Sequence, residues 1–162
     1  MKPVVTVVSP FKVAGISART SNGDEMDSAT AKLGSLWDRF FSTEMWEKVP
    51  HRTEDPSIYG VYSDYESDVN GRYTTTAGVQ VSQGPSPDEA EMTEVDVEGG
   101  EYLVFEKSGQ MPDIVFEAWG DVWRFFEEEN GFSRKYSTDF EEYRGSDSVA
   151  IHIAVQRDGS ER

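Results

Sequence analysis

Residues 58–62 read Ile-Tyr-Gly-Val-Tyr, and residues 139–143 read Asp-Phe-Glu-Glu-Tyr. Laid over each other, Tyr59-Gly60-Val61-Tyr62 and Phe140-Glu141-Glu142-Tyr143 carry an aromatic residue at both ends. The match extends outward. Trp37 precedes Tyr62 by 25 residues and Trp119 precedes Tyr143 by 24, while Gly78-Val79-Gln80 corresponds to Ala154-Val155-Gln156. Positions that recur in register point to one structural unit used twice.

Each copy has the same order of elements. In the first, Val4 to Ser17 is rich in β-branched residues and reads as strand broken by Pro10, and Thr20 to Asp27, with Asn22-Gly23, reads as loop. From Ser28 to Glu47 the apolar residues Leu33, Leu36, Trp37, Phe40 and Phe41 follow the spacing of an amphipathic helix. Ile58 to Tyr65 and Tyr73 to Val81 then read as a hairpin across Asn70-Gly71. In the second copy, Met92 to Lys107 supplies strand signals interrupted at Gly99-Gly100. Pro112 and Asp113 open a helix that Asn130-Gly131 closes, and Asp139 to Arg144 and Ser148 to Gln156 form the last two strands. The fold class expected is α+β: duplicated β-α-β-β units forming one antiparallel sheet, with two helices on one face and a central cleft between them. Residues 1–162 are read as a single domain, with repeat one at about 3–83, a linker at about 83–91 and repeat two at about 92–157.

The chain has 162 residues, mean hydropathy −0.60 and 12% aromatic residues, enough rings for a packed core despite the polarity. Acids outnumber bases 31 to 15, the net charge is −16, and Lys and Arg form no cluster, so direct nucleic-acid binding is not expected. The absence of Cys removes disulfides, thiolate nucleophiles and Cys-based zinc sites. His51 and His152 have no metal-ligand spacing, and neither a phosphate loop nor a nucleophile elbow occurs, so no cofactor is expected. The apolar run Val4 to Val8 is too short for a signal peptide, and no stretch approaches membrane-span length. A cytoplasmic protein without membrane association is the expectation. The acids from Asp88 to Glu98 read as a solvated run beside the linker.

Ile58-Tyr-Gly-Val-Tyr-Ser-Asp-Tyr65, Gly71-Arg-Tyr73 and Gly78-Val-Gln-Val81 resemble the first repeat of the GyrI-like small-molecule-binding superfamily. Phe140-Glu141-Glu142-Tyr143 resembles its Phe-Glu-x-Tyr signature, and Ile151-His152-Ile153-Ala154-Val155 its last strand. The resemblance covers roughly residues 3 to 157. The superfamily includes effector-binding domains of AraC-type and multidrug-responsive transcription regulators, and stand-alone versions such as the gyrase inhibitory protein and integron cassette proteins. It implies a central cleft that takes lipophilic, often cationic, compounds against a buried Glu. Where many relatives carry a Glu two residues before a Tyr in the last strand, this chain has Ala150 and His152, leaving Glu141 as the carboxylate the motif supports. The fold consumes the chain, so the regulators' helix-turn-helix is not expected.

Glu141 and Tyr143 are two apart on a strand and share a face; Phe140 and Glu142 point the other way. From spacing alone Glu141 reads as an edge-strand glutamate in water, because Glu is rarely buried. The resemblance reverses that preference, with Glu142 as the alternative, since a one-residue register shift exchanges the faces. Gly60, the counterpart of Glu141, offers space instead of a second charge. Trp37 and Phe41 on the first helix, and Trp119 and Trp123 on the second, are i, i+4 pairs. Taken singly each reads as core. The second helix, however, carries a wider apolar arc than one sheet requires, and the surplus is assigned to a cleft, a neighbour or a partner. Gly120 marks either close approach or a packing accommodation.

The expected function is therefore that of a stand-alone effector-binding module for amphipathic, cationic small molecules. Its ligand-binding residues are Glu141, Tyr143, Trp37, Phe41, Tyr62, Trp119 and Trp123. Two other readings are a gyrase-inhibitor-like regulator whose partner is a topoisomerase or the transcription machinery, and a hydrolase of reactive small molecules with Glu141 as base and Tyr143 as acid.

Overall fold

The computed structural model describes residues 3–67, 70–84 and 92–158. Pro10 interrupts the first run of β-branched residues, because a proline cannot donate to a strand ladder. The result is two strands, β1 (Val4–Val8) and β2 (Phe11–Ser21), that join different parts of the sheet. Gly99-Gly100 does the same to the second run, giving β5 (Thr93–Val97) and β6 (Gly100–Ser108). The hairpin strands are β3 (Ile58–Ser63) with β4 (Arg72–Val81), and β7 (Phe132–Gly145) with β8 (Ser148–Arg157).

All eight strands form one antiparallel sheet in the order β1-β6-β8-β7-β3-β4-β2-β5. If β1 to β4 are exchanged with β5 to β8, this order reads identically backwards. The duplication is thus a pseudo-twofold through the β3–β7 junction, and the first strand of each unit edges the other unit's half. Where β2 and β4 cross, Gly15 lies opposite Gly78, and a Cβ on Gly15 would sit 1.9 Å from the Ala77 carbonyl oxygen. The backbones approach too closely there for any other residue.

Helix α2 (Leu33–Ser42) buries Leu36 and Phe40 against Ala14, Ile16, Ala77 and Val79, with Met45 and Val49 from the short α3 (Met45–Lys48) and the segment after it. Helix α4 (Asp113–Glu127) buries Ile114, Ala118 and Val122 against Leu103, Phe105, Ile151 and Ile153. Both lie on one face of the sheet. The opposite face carries its own cluster, Val13, Tyr59, Val61, Tyr102 and Phe140 among it, to which these helices contribute nothing.

Several local expectations are corrected. Thr20 and Ser21 end β2 instead of opening a loop, and Asn22-Gly23 belongs to a single turn, α1 (Asn22–Glu25), because the Ser21 hydroxyl accepts from the Asp24 amide at 3.1 Å. The helix expected over Ser28 to Glu47 is two pieces, separated at Glu44, whose φ is +51°. Asn130 caps α4 through its side chain, which donates to the Phe125 and Glu128 carbonyls at 2.6 and 3.0 Å. β7 starts at Phe132, well before the expected Asp139, and its ladder to β8 is irregular between Arg134 and Asp139. Glu94 and Asp96 of the acidic run lie in β5, where both accept from Lys12. Residues 85–91, the body of the linker with Asp88, Glu89 and Glu91, lie outside the described residues. Among the described residues no helix is long and apolar enough to cross a membrane.

Candidate functional site

The pseudo-twofold places α2 and α4 on either side of the β3–β7 junction, and a cavity of about 890 Å³ lies between them. Each helix turns one stripe to the sheet and the next to this cavity: Ile114, Ala118 and Val122 face the sheet, while Val115, Trp119 and Trp123 line the cavity. That is where the surplus apolar arc of α4 goes. Trp37 and Phe41 line the cavity from α2. Gly120 marks no close approach; a Cβ there would meet nothing nearer than the Arg124 guanidinium, at 3.3 Å.

The aromatic walls cross between the units. Trp37 of the first unit packs edge-on against Tyr143 of the second, with ring centroids 5.7 Å apart; Trp119 of the second packs edge-on against Tyr62 of the first, at 5.3 Å. Phe41 and Trp123, the next twofold pair, are 49% and 48% exposed and form the rim. All seven residues singled out in the sequence line this one cavity.

At the junction the symmetry breaks. Glu141 on β7 lies opposite Gly60 on β3 and is 2% exposed. Its Oε2 accepts from Trp119 Nε1 at 2.6 Å and from the Tyr62 hydroxyl at 2.9 Å; its Oε1 accepts from the Tyr143 hydroxyl at 2.8 Å. Burial pushes its carboxyl above the usual carboxylate range, and the donors Trp119, Tyr143 and Tyr62 pull part of the way back. Burial and the adjacent Glu141 raise both tyrosines well above the ordinary phenol value, so they remain donors. Among the described residues no cationic side chain pairs with Glu141. The two arginines of the cavity wall are engaged elsewhere, Arg134 by Asp139 and Arg144 by Glu142. Glu142 faces the other side of the sheet and also accepts from Ser57 at 2.8 Å.

Gly60 does not open a pocket of its own. A Cβ there would lie 2.8 Å from Glu141 Oε1 and 2.9 Å from the Trp37 ring. The missing side chain makes room for the carboxyl and the indole. Gly60→Ala is expected to destabilise the protein by about 1–3 kcal/mol through overpacking and to shift the tryptophan emission. Thermal melting and fluorescence within error of wild type would show that the wall yields freely.

The sequence reading missed part of the wall. Tyr65, Tyr73, Tyr136, Arg134 and Glu25 also line the cavity. Tyr65 and Arg134 donate to Oδ2 of Asp139, at 2.5 and 2.7 Å, and the Arg134 guanidinium lies over the Tyr136 ring at 4.5 Å. Glu25 accepts from the Lys32 and Leu33 amides at 2.8 and 3.2 Å, capping the start of α2 from within α1. The parity of β4 relative to β3 would have placed Tyr73 beside Tyr62. The Arg134–Asp139 pair depends on the irregularity in β7 and left no periodic trace. His152 is not at the cavity. It lies on the opposite face, stacked on Phe140 at 4.2 Å, and burial, which disfavours the charged ring, lowers its pKa below the ordinary histidine value.

Residues 5–155 match the family described as Cass2, integron-associated effector binding protein. YobU of Bacillus subtilis (strain 168), a candidate transcriptional regulator, is 30% identical over 94% of this chain and 97% of its own. The integron cassette protein VCH_CASS2, from the mobile metagenome of Vibrio cholerae, superposes with a TM-score of 0.80 at 34% identity, with 96% of each chain covered. SAV2435, solved bound to tetraphenylphosphonium, has a TM-score of 0.77 over 96% of this chain and 94% of its own; at 19% identity the likeness is one of fold.

Proposed function

This chain belongs to the Cass2 family of integron-associated effector-binding proteins, and from that premise we propose that it binds amphipathic, cationic small molecules between its two helices, with Glu141 as the charge partner. The observation that carries this reading is the Glu141 carboxyl: buried, held by three neutral donors, and without a paired cation among the described residues. A carboxylate withdrawn from water is costly unless a counter-charge joins it. A ligand cation is that counter-charge. Trp37, Trp119, Tyr62 and Tyr143 present ring faces and edges around it, and a cation near an aromatic face gains about 0.5–2 kcal/mol, more when desolvated. Burial of the ligand's apolar groups adds about 25 cal/mol per Å² before the entropy cost of association. Neither contribution demands strict geometry, so several chemically unrelated cations fit one pocket. The cavity, about 890 Å³, is of the size that encloses a drug-sized molecule. The tetraphenylphosphonium bound to the fold-related SAV2435 is of this chemical class.

Two ions of one shape and opposite charge test the reading. Tetraphenylphosphonium is expected to bind the wild-type protein at least tenfold more tightly than tetraphenylborate, measured by calorimetry or quenching of tryptophan emission. Equal affinities would mean that the pocket selects for rings alone. Protonating Glu141 removes the counter-charge, so affinity for the phosphonium is expected to fall as pH drops through a carboxyl pKa that lies above the usual carboxylate range. As an effector-binding protein, the chain should return its ligand unchanged, and a mass spectrum of the recovered compound checks this. A turned-over product would favour the hydrolase reading.

A further inference from the structure

On the face of the sheet turned away from α2 and α4, a second cavity of about 470 Å³ extends over β2, β3, β4, β5 and β7. Its wall is hydrophilic. Ser63, Thr76, Ser137 and Thr138 contribute hydroxyls, Asp64 and Glu98 contribute carboxylates, and among the described residues no Lys, Arg or His lines it. Ser63 and Thr76 share a face with Val61, which belongs to the core on this side of the sheet. Ser63 is 4% exposed, yet among the described residues its Oγ has no hydrogen-bond partner, and neither has the buried Ser137 Oγ. A buried hydroxyl left unpaired costs about 1–3 kcal/mol. These groups are placed for atoms that no described residue supplies.

The fold does not require this hollow. With Gly60 the counterpart of Glu141, the strand registers make Glu142, Ala150 and His152 the twofold counterparts of Val61, Thr76 and Gly78; His152 packs on Phe140, and Glu142 is engaged by Arg144 and Ser57. The second unit therefore fills this surface with side chains, whereas the first retains small hydroxyls. The sign of the charge is also set. Lys12 pairs with Glu94 and Asp96 at the margin, and Arg19 donates to the Asp64 carbonyl and the Thr74 hydroxyl. Asp64 and Glu98 have no ion pair among the described residues. No grouping of His, Cys, Asp and Glu among the described residues suits a metal ion. Hydroxyls and carboxylates together accept many hydrogen bonds, so the matching ligand is rich in N–H donors, positively charged and hydrophilic.

We propose that this cavity is a second binding site, separate from the aromatic one, for a small aliphatic polyammonium ion. Its ammonium groups donate to the hydroxyl wall and face Asp64 and Glu98.

Spermidine is the probe, titrated into the full chain at about physiological ionic strength, where diffuse attraction to the acidic surface is screened. Saturable binding is expected, with amide shifts in ¹H–¹⁵N spectra clustered at Ser63, Asp64, Thr76, Ser137 and Thr138. Asp64→Asn and Ser63→Val should each weaken it by about tenfold, the loss of one charge-assisted or hydroxyl contact. Glu141→Gln should leave it unchanged, and tetraphenylphosphonium should not compete. Asp64 is exposed with φ +51°, a conformation Asn adopts readily, so this variant tests the site even if Ser63→Val fails to fold. Shifts spread over the acidic surface, equal affinity for the folded Asp64→Asn variant, or displacement by the phosphonium would each overturn the proposal.

Discussion

Glu141→Gln is expected to weaken tetraphenylphosphonium binding by about tenfold to a hundredfold while leaving the melting temperature within a few degrees of wild type. The magnitude follows from Coulomb's law. At an effective dielectric constant of about 20, unit charges about 5 Å apart attract by about 3 kcal/mol, or roughly two decades in affinity, and part of this is offset by desolvating the ligand. The small change in stability follows from the hydrogen bonds. The amide oxygen of glutamine can take the place of Oε2 and accept from Trp119 Nε1 and the Tyr62 hydroxyl. The NH₂ group then lies where Oε1 was, facing the Tyr143 oxygen, and a phenol can accept as well as donate. Only the indole is fixed as a donor, and it keeps an acceptor. The variant also removes a buried carboxylate whose pKa is raised, a group that opposes folding at pH values above that pKa. Unchanged phosphonium affinity in the folded variant would remove Glu141 as charge partner. A collapsed melting temperature would make it a structural group.

Much of this arrangement was legible before any coordinates, and the parts that were not share a physical cause. Periodicity is a property of one element, so α4 and the β3–β4 hairpin could be read from spacing alone. The pairing of Trp37 with Tyr143 and of Trp119 with Tyr62 could not, because it depends on where the two units meet. Duplication implied the twofold, yet the exchange of β1 and β5 between halves depends on breaks at Pro10 and Gly99-Gly100 that look like ordinary loops in the sequence. Glu141 is the instructive residue. By spacing it was a solvated edge glutamate, and only the Phe-Glu-x-Tyr resemblance argued otherwise. Its burial is offset by hydroxyls and an indole 79, 2 and 22 residues away in sequence. The preference for burying Glu142 or Glu141 was a question of register, and β7 answers it by pairing Glu141 with Gly60.

Asp139→Ala should cause the largest loss of stability of any single substitution considered for this protein, about 3–5 kcal/mol, the typical cost of removing one member of a buried ion pair. Asp139 is fully buried, two residues before Glu141 and on the same strand. Its Oδ2 accepts from Arg134 at 2.7 Å and from the Tyr65 hydroxyl at 2.5 Å, and its Oδ1 accepts from the Ala154 amide at 2.9 Å. One carboxylate thus closes the irregular stretch of β7 onto β8 and holds the Arg134, Tyr65 and Tyr136 side of the cavity. Burial alone would lower the Arg134 pKa; Asp139 more than offsets this and holds the guanidinium above its ordinary value. Alanine would strand that charge, a phenol and a backbone amide together. For a chain of this length each kcal/mol corresponds to about 2–4 °C, so the melting temperature should fall by roughly 6–20 °C. Asp139→Asn, which keeps an acceptor for Ala154, should fall less. The double variant Asp139→Leu with Arg134→Met should recover part of the loss, because replacing both partners removes the uncompensated charge. If Asp139→Ala instead melts within about 2 °C of wild type, less than a kcal/mol at this chain length, the pair is hydrated in solution, and the wall beside Glu141 is shaped by aromatic packing alone.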